Sequence, residues 1–157
     1  MRIEYFQLID RIVALDVSAW TIRVEAVVPR ESTIFEGHFP GNPLMPGVLL
    51  IESMAQTAGW LVIALTRFER MPFLAAIKDA KLRTFVLPGT NLDITAQLLH
   101  DGSGYAITKA TIAADSKPIC DAEITFRVMP FPEKSMRRAM EETAVRIGFP
   151  MQALADG

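Results

Sequence analysis

The stretch FEGHFPGNPLMPGVLLIESMAQTAG, residues 35–59, decides how this chain folds. Its first half is dense in glycine and proline and contains one histidine, His38. Its second half is an apolar run that contains one carboxylate, Glu52. Glycine and proline favour turns and interrupt regular helices and strands, whereas the apolar residues of the first half favour order. The stretch therefore predicts an ordered loop, over Arg30–Gly47, that leads without a gap into a helix.

The apolar run from Pro46 to about Phe68 has the pattern of a mostly buried helix. Pro46 and Gly47 stand at its start, where the first N–H groups have no partner within a helix. At about 100° per residue the polar side chains fall on one seam and the apolar ones cover the rest. Charge and polarity near the middle argue against a bilayer span, which needs ~20 apolar residues. We predict a soluble helix, with no membrane span, whose polar seam consists of Glu52, Ser53, Gln56 and Thr57.

Much of the remaining chain shows the period-2 alternation of β-strands. In Ala19–Val28, every second residue from Trp20 to Val28 is apolar, and Ile119–Val128 alternates from Cys120 in the same way. One long helix and a run of antiparallel strands predict an α+β fold in which the sheet wraps the helix. The other predicted elements are a strand or short helix leading into a strand at Phe6–Leu15, strands at Phe73–Arg83, Leu92–Leu98 and Tyr105–Ala114, and a hairpin turn at Asp101–Gly104.

The final segment, residues 131–157, is predicted to extend a single domain formed by residues 1–130. Met136, Met140, Thr143 and Ile147 recur at helical spacing, and Gly148 and Pro150 end the pattern. We expect a short amphipathic helix that docks on the domain or on a neighbouring subunit.

Composition excludes several classes of protein. The 157 residues, 50% hydrophobic and 22% charged, suit one globular domain. A net charge of −2 gives no basic surface for nucleic acid. The single cysteine, Cys120, cannot close an intramolecular disulfide and is expected to be a small buried residue. Arg2 and Glu4 break the N-terminal region, so no signal peptide is expected, and we predict a cytoplasmic protein.

His38 and Glu52 are the candidates for acid–base chemistry. A histidine exchanges a proton near neutral pH, and apolar surroundings favour the protonated form of a carboxyl group. Free N–H groups at a helix start would stabilise negative charge on a carbonyl oxygen. These parts suit proton abstraction next to a carbonyl. Other interpretations stay open, because a histidine in such a loop is more often structural and Glu52 could face solvent or pair with Arg83.

The run GHFPGNPLMPGVLLIESMAQ, Gly37–Gln56, resembles the signature of the FabZ-type 3-hydroxyacyl-acyl-carrier-protein dehydratases of fatty acid synthesis. Lys81–Gly89 (KLRTFVLPG) and Ile119–Ile124 (ICDAEI) are similar to later segments of that family, so the likeness covers about Phe6–Val128. The resemblance implies a hot-dog fold, in which an antiparallel sheet wraps a long central helix. It also implies active sites at a dimer interface, with the histidine of one subunit facing the glutamate of the other.

The same resemblance implies roles for individual residues, with no metal and no cofactor. His38 would remove the C2 proton of a 3-hydroxyacyl thioester, the Gly47 N–H would bind the thioester oxygen, and Glu52 would protonate the departing hydroxyl. A glutamate at position 52 is similar to the dehydratase branch, whereas the related dehydratase/isomerases have aspartate. Gln56 would orient Glu52, or is simply the next residue of the polar seam. Residues for an acyl tunnel, or alternatively for core packing, are Phe39, Met45, Leu49 and Trp60.

The implied partner is an acyl carrier protein, an acidic protein that could dock on basic residues by charge complementarity. A solvated surface would have the same composition. The implied assembly is a homodimer or a trimer of dimers. The basic residues in question are Arg67, Arg70, Lys78, Lys81 and Arg83.

The chain departs from the family pattern at both ends. Its lead before Phe6 is short, and its tail from Phe131 to Gly157 is long, so carrier docking, tunnel length or assembly could differ. Three other functions remain open. They are a hot-dog acyl thioesterase, which needs no histidine in the loop, a non-catalytic acyl-thioester-binding subunit, and an acyl-thioester-binding regulator.

Overall fold

In the computed structural model, which describes residues 1–154, the strands form one antiparallel sheet in the order β1-β2-β4-β5-β6-β3. The α+β class predicted from the sequence is confirmed. The strands are β1 (Arg11–Asp16), β2 (Thr21–Val27), β3 (Arg70–Leu82), β4 (Asn91–Gly102), β5 (Tyr105–Ala114) and β6 (Lys117–Pro130). The α-helices are α1 (Thr33–Gly37), α2 (Gly47–Leu65) and α3 (Lys134–Arg146), with short 3-10 helices at Ile3–Tyr5 and Met151–Leu154.

Helix α2 is the centre of the core and packs against β2 to β6. By length and composition it could span a membrane, yet 67% of its most apolar window is buried inside the domain. Its apolar character is therefore explained by its place under the sheet. Two seam residues, Ser53 and Thr57, are also fully buried. Their hydroxyl groups are satisfied within the helix, because Ser53 donates to the Leu49 carbonyl and Thr57 donates to the Ser53 carbonyl. The seam thus leaves only Glu52 and Gln56 partly exposed.

The buried faces of the strands follow the predicted alternation, with one correction. In β6 every second residue from Cys120 to Val128 is buried, as predicted. Ile22 to Val28 also alternate as predicted, but Trp20 is 48% exposed. Trp20 precedes β2 in the turn after β1 and has a φ of 59°, so it does not share the pleat of the strand that follows it.

The predicted loop over Arg30–Gly47 contains a short helix, α1, that the glycine and proline content concealed. Ser32 caps this helix, since its hydroxyl oxygen accepts a hydrogen bond from the Ile34 N–H at 3.2 Å. Phe35 on α1 is buried and anchors the segment to the core. The loop is therefore ordered, as predicted, but its first part is helical.

Strand β3 forms one edge of the sheet and, among residues 1–154, pairs only with β6. An unpaired edge with apolar side chains is a site for pairing with another chain. Three such side chains are strongly exposed here, at 49% for Leu74, 42% for Ile77 and 49% for Leu82.

The tail contains a helix, α3, as its spacing predicted, and it folds back on its own domain, one of the two expected arrangements. Ala144 and Ile147 are fully buried, and the Ile12 N–H donates to the Ile147 carbonyl at 2.8 Å. The Phe149 ring lies 5.6 Å from the rings of both Trp60 and Phe68. Residues 155–157 of the predicted extension lie outside the described residues.

Candidate active site

His38 follows α1 and opens a tight turn formed by the sequence FPGN. The Phe39 N–H donates to the Asn42 carbonyl at 3.0 Å, and the Asn42 N–H donates back to the Phe39 carbonyl at 2.8 Å. Gly41 has a φ of 72°, a backbone conformation that favours glycine. The Leu44 N–H then donates to the His38 carbonyl at 2.9 Å and closes the loop. The glycine and prolines of this segment therefore fix the backbone that carries the histidine.

The hydrogen bond of the His38 ring determines which nitrogen can act as a base. Nδ1 lies 3.0 Å from the Leu44 carbonyl oxygen. A carbonyl only accepts, so Nδ1 carries the proton and Nε2 of the neutral ring is left as an acceptor. The ring is partly buried and stacks on Phe39, with 4.1 Å between the ring centroids. The geometry holds a basic nitrogen in a defined orientation.

The start of α2 lies beside His38 in one pocket of about 550 Å³, which we call the His38 pocket. Pro46 is the N-cap of α2 and makes no side-chain cap, so the first N–H groups, at Gly47 and Val48, have no partner within the helix. A Cβ atom at Gly47 would overlap the Leu82 side chain, so glycine lets Leu82 pack closely against the start of α2. The pocket is lined by His38, Phe39, Leu44, Met45, Gly47, Leu50, Leu82, Arg83, Thr84 and Phe85.

Glu52 lies one and a half turns into α2 and is half-buried. Burial raises the pKa of its carboxyl group, and the hydrogen bond from Gln56 opposes part of that rise. The Gln56 amide donates to Glu52 Oε1 at 3.1 Å. The alternative pairing with Arg83 is wrong, because Arg83 forms its ion pair with Asp121 instead. The neutral form of the Glu52 carboxyl group is thus more favoured than in an ordinary glutamate.

Gln56 is itself fixed by the segment before β1. Its side-chain oxygen accepts from the Leu8 N–H at 3.0 Å, and its nitrogen donates to the Phe6 carbonyl at 2.9 Å as well as to Glu52. With donor and acceptor both engaged, the amide has a single orientation. The geometry therefore allows Gln56 to orient Glu52.

Glu52 lies in a separate cavity of about 300 Å³, which we call the Glu52 cavity. Within one chain, therefore, the histidine and the glutamate face different spaces. The cavity is lined by Phe6, Gln7, Ile9, Glu52, Ala55, Gln56, Gly59, Trp60, Ile63, Met71, Pro72, Leu74, Phe126, Met140, Thr143 and Arg146.

The residues expected for an acyl tunnel are divided between these spaces. Phe39 and Met45 line the His38 pocket, and Trp60 lines the Glu52 cavity. Leu49 lies outside both and packs, partly buried, against the core. Sequence reasoning missed the wall that α3 contributes through Met140. The helical spacing of the tail was visible, but nothing in it indicated which element the helix would meet.

The basic residues expected to meet a carrier protein are all exposed, including Lys78 and Lys81 on β3 and Arg83 at the rim of the His38 pocket. Arg83 forms an ion pair with Asp121, the chain neighbour of the buried Cys120. Burial, followed by the charge of Asp121, raises the pKa of this thiol to about 11.

Among residues 1–154, no group of three or more His, Cys, Asp or Glu side chains is arranged to hold a metal ion.

A sheet wrapped around one long helix defines this protein as a member of the hot-dog fold class, and solved structures share the architecture. A protein of Staphylococcus aureus has a TM-score of 0.64 at 14% identity, covering 82% of this chain and 98% of its own. A conserved protein of Pseudomonas aeruginosa has a TM-score of 0.63 at 20% identity, covering 80% and 91%. At these identities the likeness shows the fold alone.

Sequence comparison gives the family. The model of the FabA-like domain matches residues 2–123, so the chain belongs to the FabA-like family, in its FabZ-type branch. It is 39% identical over 120 residues to the 3-hydroxyacyl-[acyl-carrier-protein] dehydratase FabZ of Latilactobacillus sakei, covering 76% of this chain and 85% of that protein. It is 33% identical over 123 residues to FabZ of Clostridium acetobutylicum, covering 78% and 86%.

Proposed function

We propose that the protein is a 3-hydroxyacyl-[acyl-carrier-protein] dehydratase of fatty acid biosynthesis, a hydro-lyase that converts a 3-hydroxyacyl thioester into the trans-2-enoyl thioester. The observation that carries the proposal is the fixed tautomer of His38, whose free Nε2 shares a pocket with the start of α2. The similarity to FabZ relatives at 33% and 39% identity supports it.

The first half of the reaction belongs to the His38 pocket. His38 Nε2 takes the proton at C2, and the electron pair of that C–H bond delocalises onto the thioester carbonyl to give an enolate-like group. Negative charge develops on the thioester oxygen as the proton leaves. The Gly47 N–H, at the positive end of the α2 dipole, stabilises that charge. No group in this step changes oxidation state.

The second half belongs to Glu52. Its carboxyl group donates a proton to the 3-hydroxyl, the electron pair returns from the enolate to form the C2–C3 double bond, and the C3–O bond breaks so that water leaves. Burial favours the protonated carboxyl that this step consumes, and Gln56 orients it toward the substrate. Proton exchange with solvent then restores a neutral His38 and a protonated Glu52.

The two halves meet when two chains pair along β3. His38 and Glu52 line different spaces within one chain, which supports a site completed by residues from two chains. The exposed apolar side chains on β3, including Leu74 and Ile77, support pairing at this edge. We propose a homodimer in which His38 of one chain faces Glu52 of the other. The exposed Lys78 and Lys81 would meet an acidic carrier protein in the cytoplasm.

The test is the turnover of 3-hydroxyacyl-carrier-protein substrates, followed by formation of the enoyl thioester and by release of free acid. Loss of either catalytic group should lower dehydration by about 10²–10⁴-fold, in His38→Ala and in Glu52→Gln. His100→Ala and Glu69→Gln are matched controls, because both side chains are exposed and lie away from both cavities. Wild-type dehydration in both site variants would refute the assignment, and hydrolysis that survives His38→Ala would indicate a thioesterase.

A further inference from the structure

Helix α3 lies beyond the region that the family model matches, residues 2–123, yet it is built into the domain. Ala144 on α3 and Ile147 just after it are fully buried. The backbone bond from Ile12 to Ile147 and the contact of Phe149 with Trp60 hold the end of the helix in place. The position of α3 relative to α2 is therefore fixed by packing and by a hydrogen bond, as expected of a wall.

One face of α3 closes the Glu52 cavity. Met140, Thr143 and Arg146, spaced three residues apart, line it from that side. Helix α2 also lines the cavity, from Glu52 to Ile63, a length of about 16 Å along the helix axis. Gly59, between Glu52 and Ile63, also lines the cavity. The cavity is thus a slot that begins at the proposed acid and continues along the helix.

The lining of the slot suits an aliphatic chain better than a polar ligand. Met140 is partly buried and apolar. The Thr143 hydroxyl already donates to the Ala139 carbonyl at 2.9 Å, so its proton is not available to a ligand. Arg146 is exposed and marks the side that opens to solvent. Apart from Glu52 and Gln56 at the catalytic end, the α2 side of the slot is apolar or glycine.

We propose that α3 sets the acyl-chain length of the substrate, with Met140 and Thr143 as the specificity-determining residues. The inference rests on the proposed dehydratase function, since it assigns the Glu52 cavity to the acyl chain of that substrate. Burial of one further methylene changes kcat/KM by about fourfold. A side chain that lengthens or shortens the slot should therefore shift the preferred chain length, with a smaller effect on substrates too short to reach α3.

The experiment measures kcat/KM for dehydration of 3-hydroxyacyl-carrier-protein substrates of graded length. Met140→Ala should raise the ratio of long-chain to short-chain kcat/KM about tenfold, the value for one to two further methylenes. Thr143→Leu should fill the slot and lower the same ratio. Opposite shifts from the two variants cannot come from a general loss of folding, which would lower all lengths together.

Met136→Ala is the matched control, because it makes the same change one turn earlier on α3 at a residue outside the cavity lining. Its length profile should equal the wild-type profile. Profiles of Met140→Ala and Thr143→Leu that both match this control would overturn the inference while leaving the dehydratase assignment intact. A wild-type protein that dehydrates no chain length would instead refute the proposed function itself.

Discussion

The loop that carries His38 and the helix that carries Glu52 hold their functional groups in different ways. The His38 ring is bonded to a backbone carbonyl, and the turn after it is closed by backbone hydrogen bonds. Glu52 depends on burial and on one side chain, Gln56, whose own partners are 48 and 50 residues away in sequence. The proposed base, His38, should therefore tolerate changes of neighbouring side chains, whereas the proposed acid, Glu52, should not.

The largest effect on activity should come from mixing chains that lack His38 with chains that lack Glu52. His38→Ala and Glu52→Gln chains are each expected to be inactive alone. After random exchange, half of the dimers are mixed and each has one intact site of two, so about a quarter of the wild-type rate should return. Native mass spectrometry can verify the exchange. If mixed dimers form and the rate stays at the level of the single variants, the two groups do not come from different chains.

The next largest effect tests whether pairing of two chains along β3 brings His38 and Glu52 together. Ile77→Lys places a charge on the exposed edge and should give a monomer. Activity should fall ~10²-fold or more, since each site would lack one catalytic group. Sedimentation and turnover measure the two consequences on the same sample. Val13→Lys, on the opposite edge strand β1, is the control and should stay dimeric and active. An active Ile77→Lys monomer would contradict a shared site.

A smaller effect should separate the side-chain support of Glu52 from the backbone support of His38. Gln56→Ala removes the hydrogen bond that lowers the Glu52 pKa, so that pKa should rise further. An acid must be protonated to work, so the loss of activity at high pH should begin at a higher pH than in the wild type. We expect kcat at neutral pH to fall about tenfold through lost orientation.

Leu44→Ala is the comparison for Gln56→Ala, because it leaves the carbonyl that holds His38 in place. Its loss of kcat should be smaller, and its loss of activity at high pH should begin where it does in the wild type. A pH–rate series on both variants measures this difference. Equal shifts in the two variants would remove the distinction between backbone and side-chain support.

The smallest effect concerns stability. Because burial raises the folded-state pKa of Glu52 above its ordinary value of 4.5, the folded state binds a proton more readily than the unfolded state. Stability therefore falls as pH rises from that value through the raised pKa. Glu52→Gln should melt at a higher temperature than the wild type at pH 7, with a difference that shrinks in acid. Thermal melts at equal protein concentration check it, and Glu69→Gln should show no gain.

Local patterns predicted local features of this fold well. The alternation in Ile119–Val128 placed every second side chain of β6 correctly, because a strand repeats its orientation every two residues. The apolar run after Pro46 placed α2 for a similar reason. The predicted burial of Trp20 was wrong because the apolar alternation was read past the first residue of β2, into the turn before it. Helix α1 was not predicted because a single capped turn has no periodicity to detect.

The surroundings of the candidate site were less predictable, since they depend on contacts between distant segments. The orientation of Gln56 depends on the backbone of Phe6 and Leu8, and the wall opposite α2 comes from Met140 on α3. One histidine in the loop and one carboxylate in the apolar run singled out His38 and Glu52 as candidates. The resemblance to a family then implied their roles. The division of the two groups between separate spaces follows only from the packed structure.

The burial of Cys120 makes the protein a convenient host for thiol-specific probes. It is the single cysteine of the chain, fully buried, and a thiol with a pKa of about 11 is almost entirely protonated at neutral pH. Maleimide reagents should therefore leave the wild-type protein unlabelled. A cysteine introduced at Phe85, whose side chain is 80% exposed at the rim of the His38 pocket, would carry a fluorophore at one position. Carrier binding could then be followed by fluorescence without removing a native residue from the core.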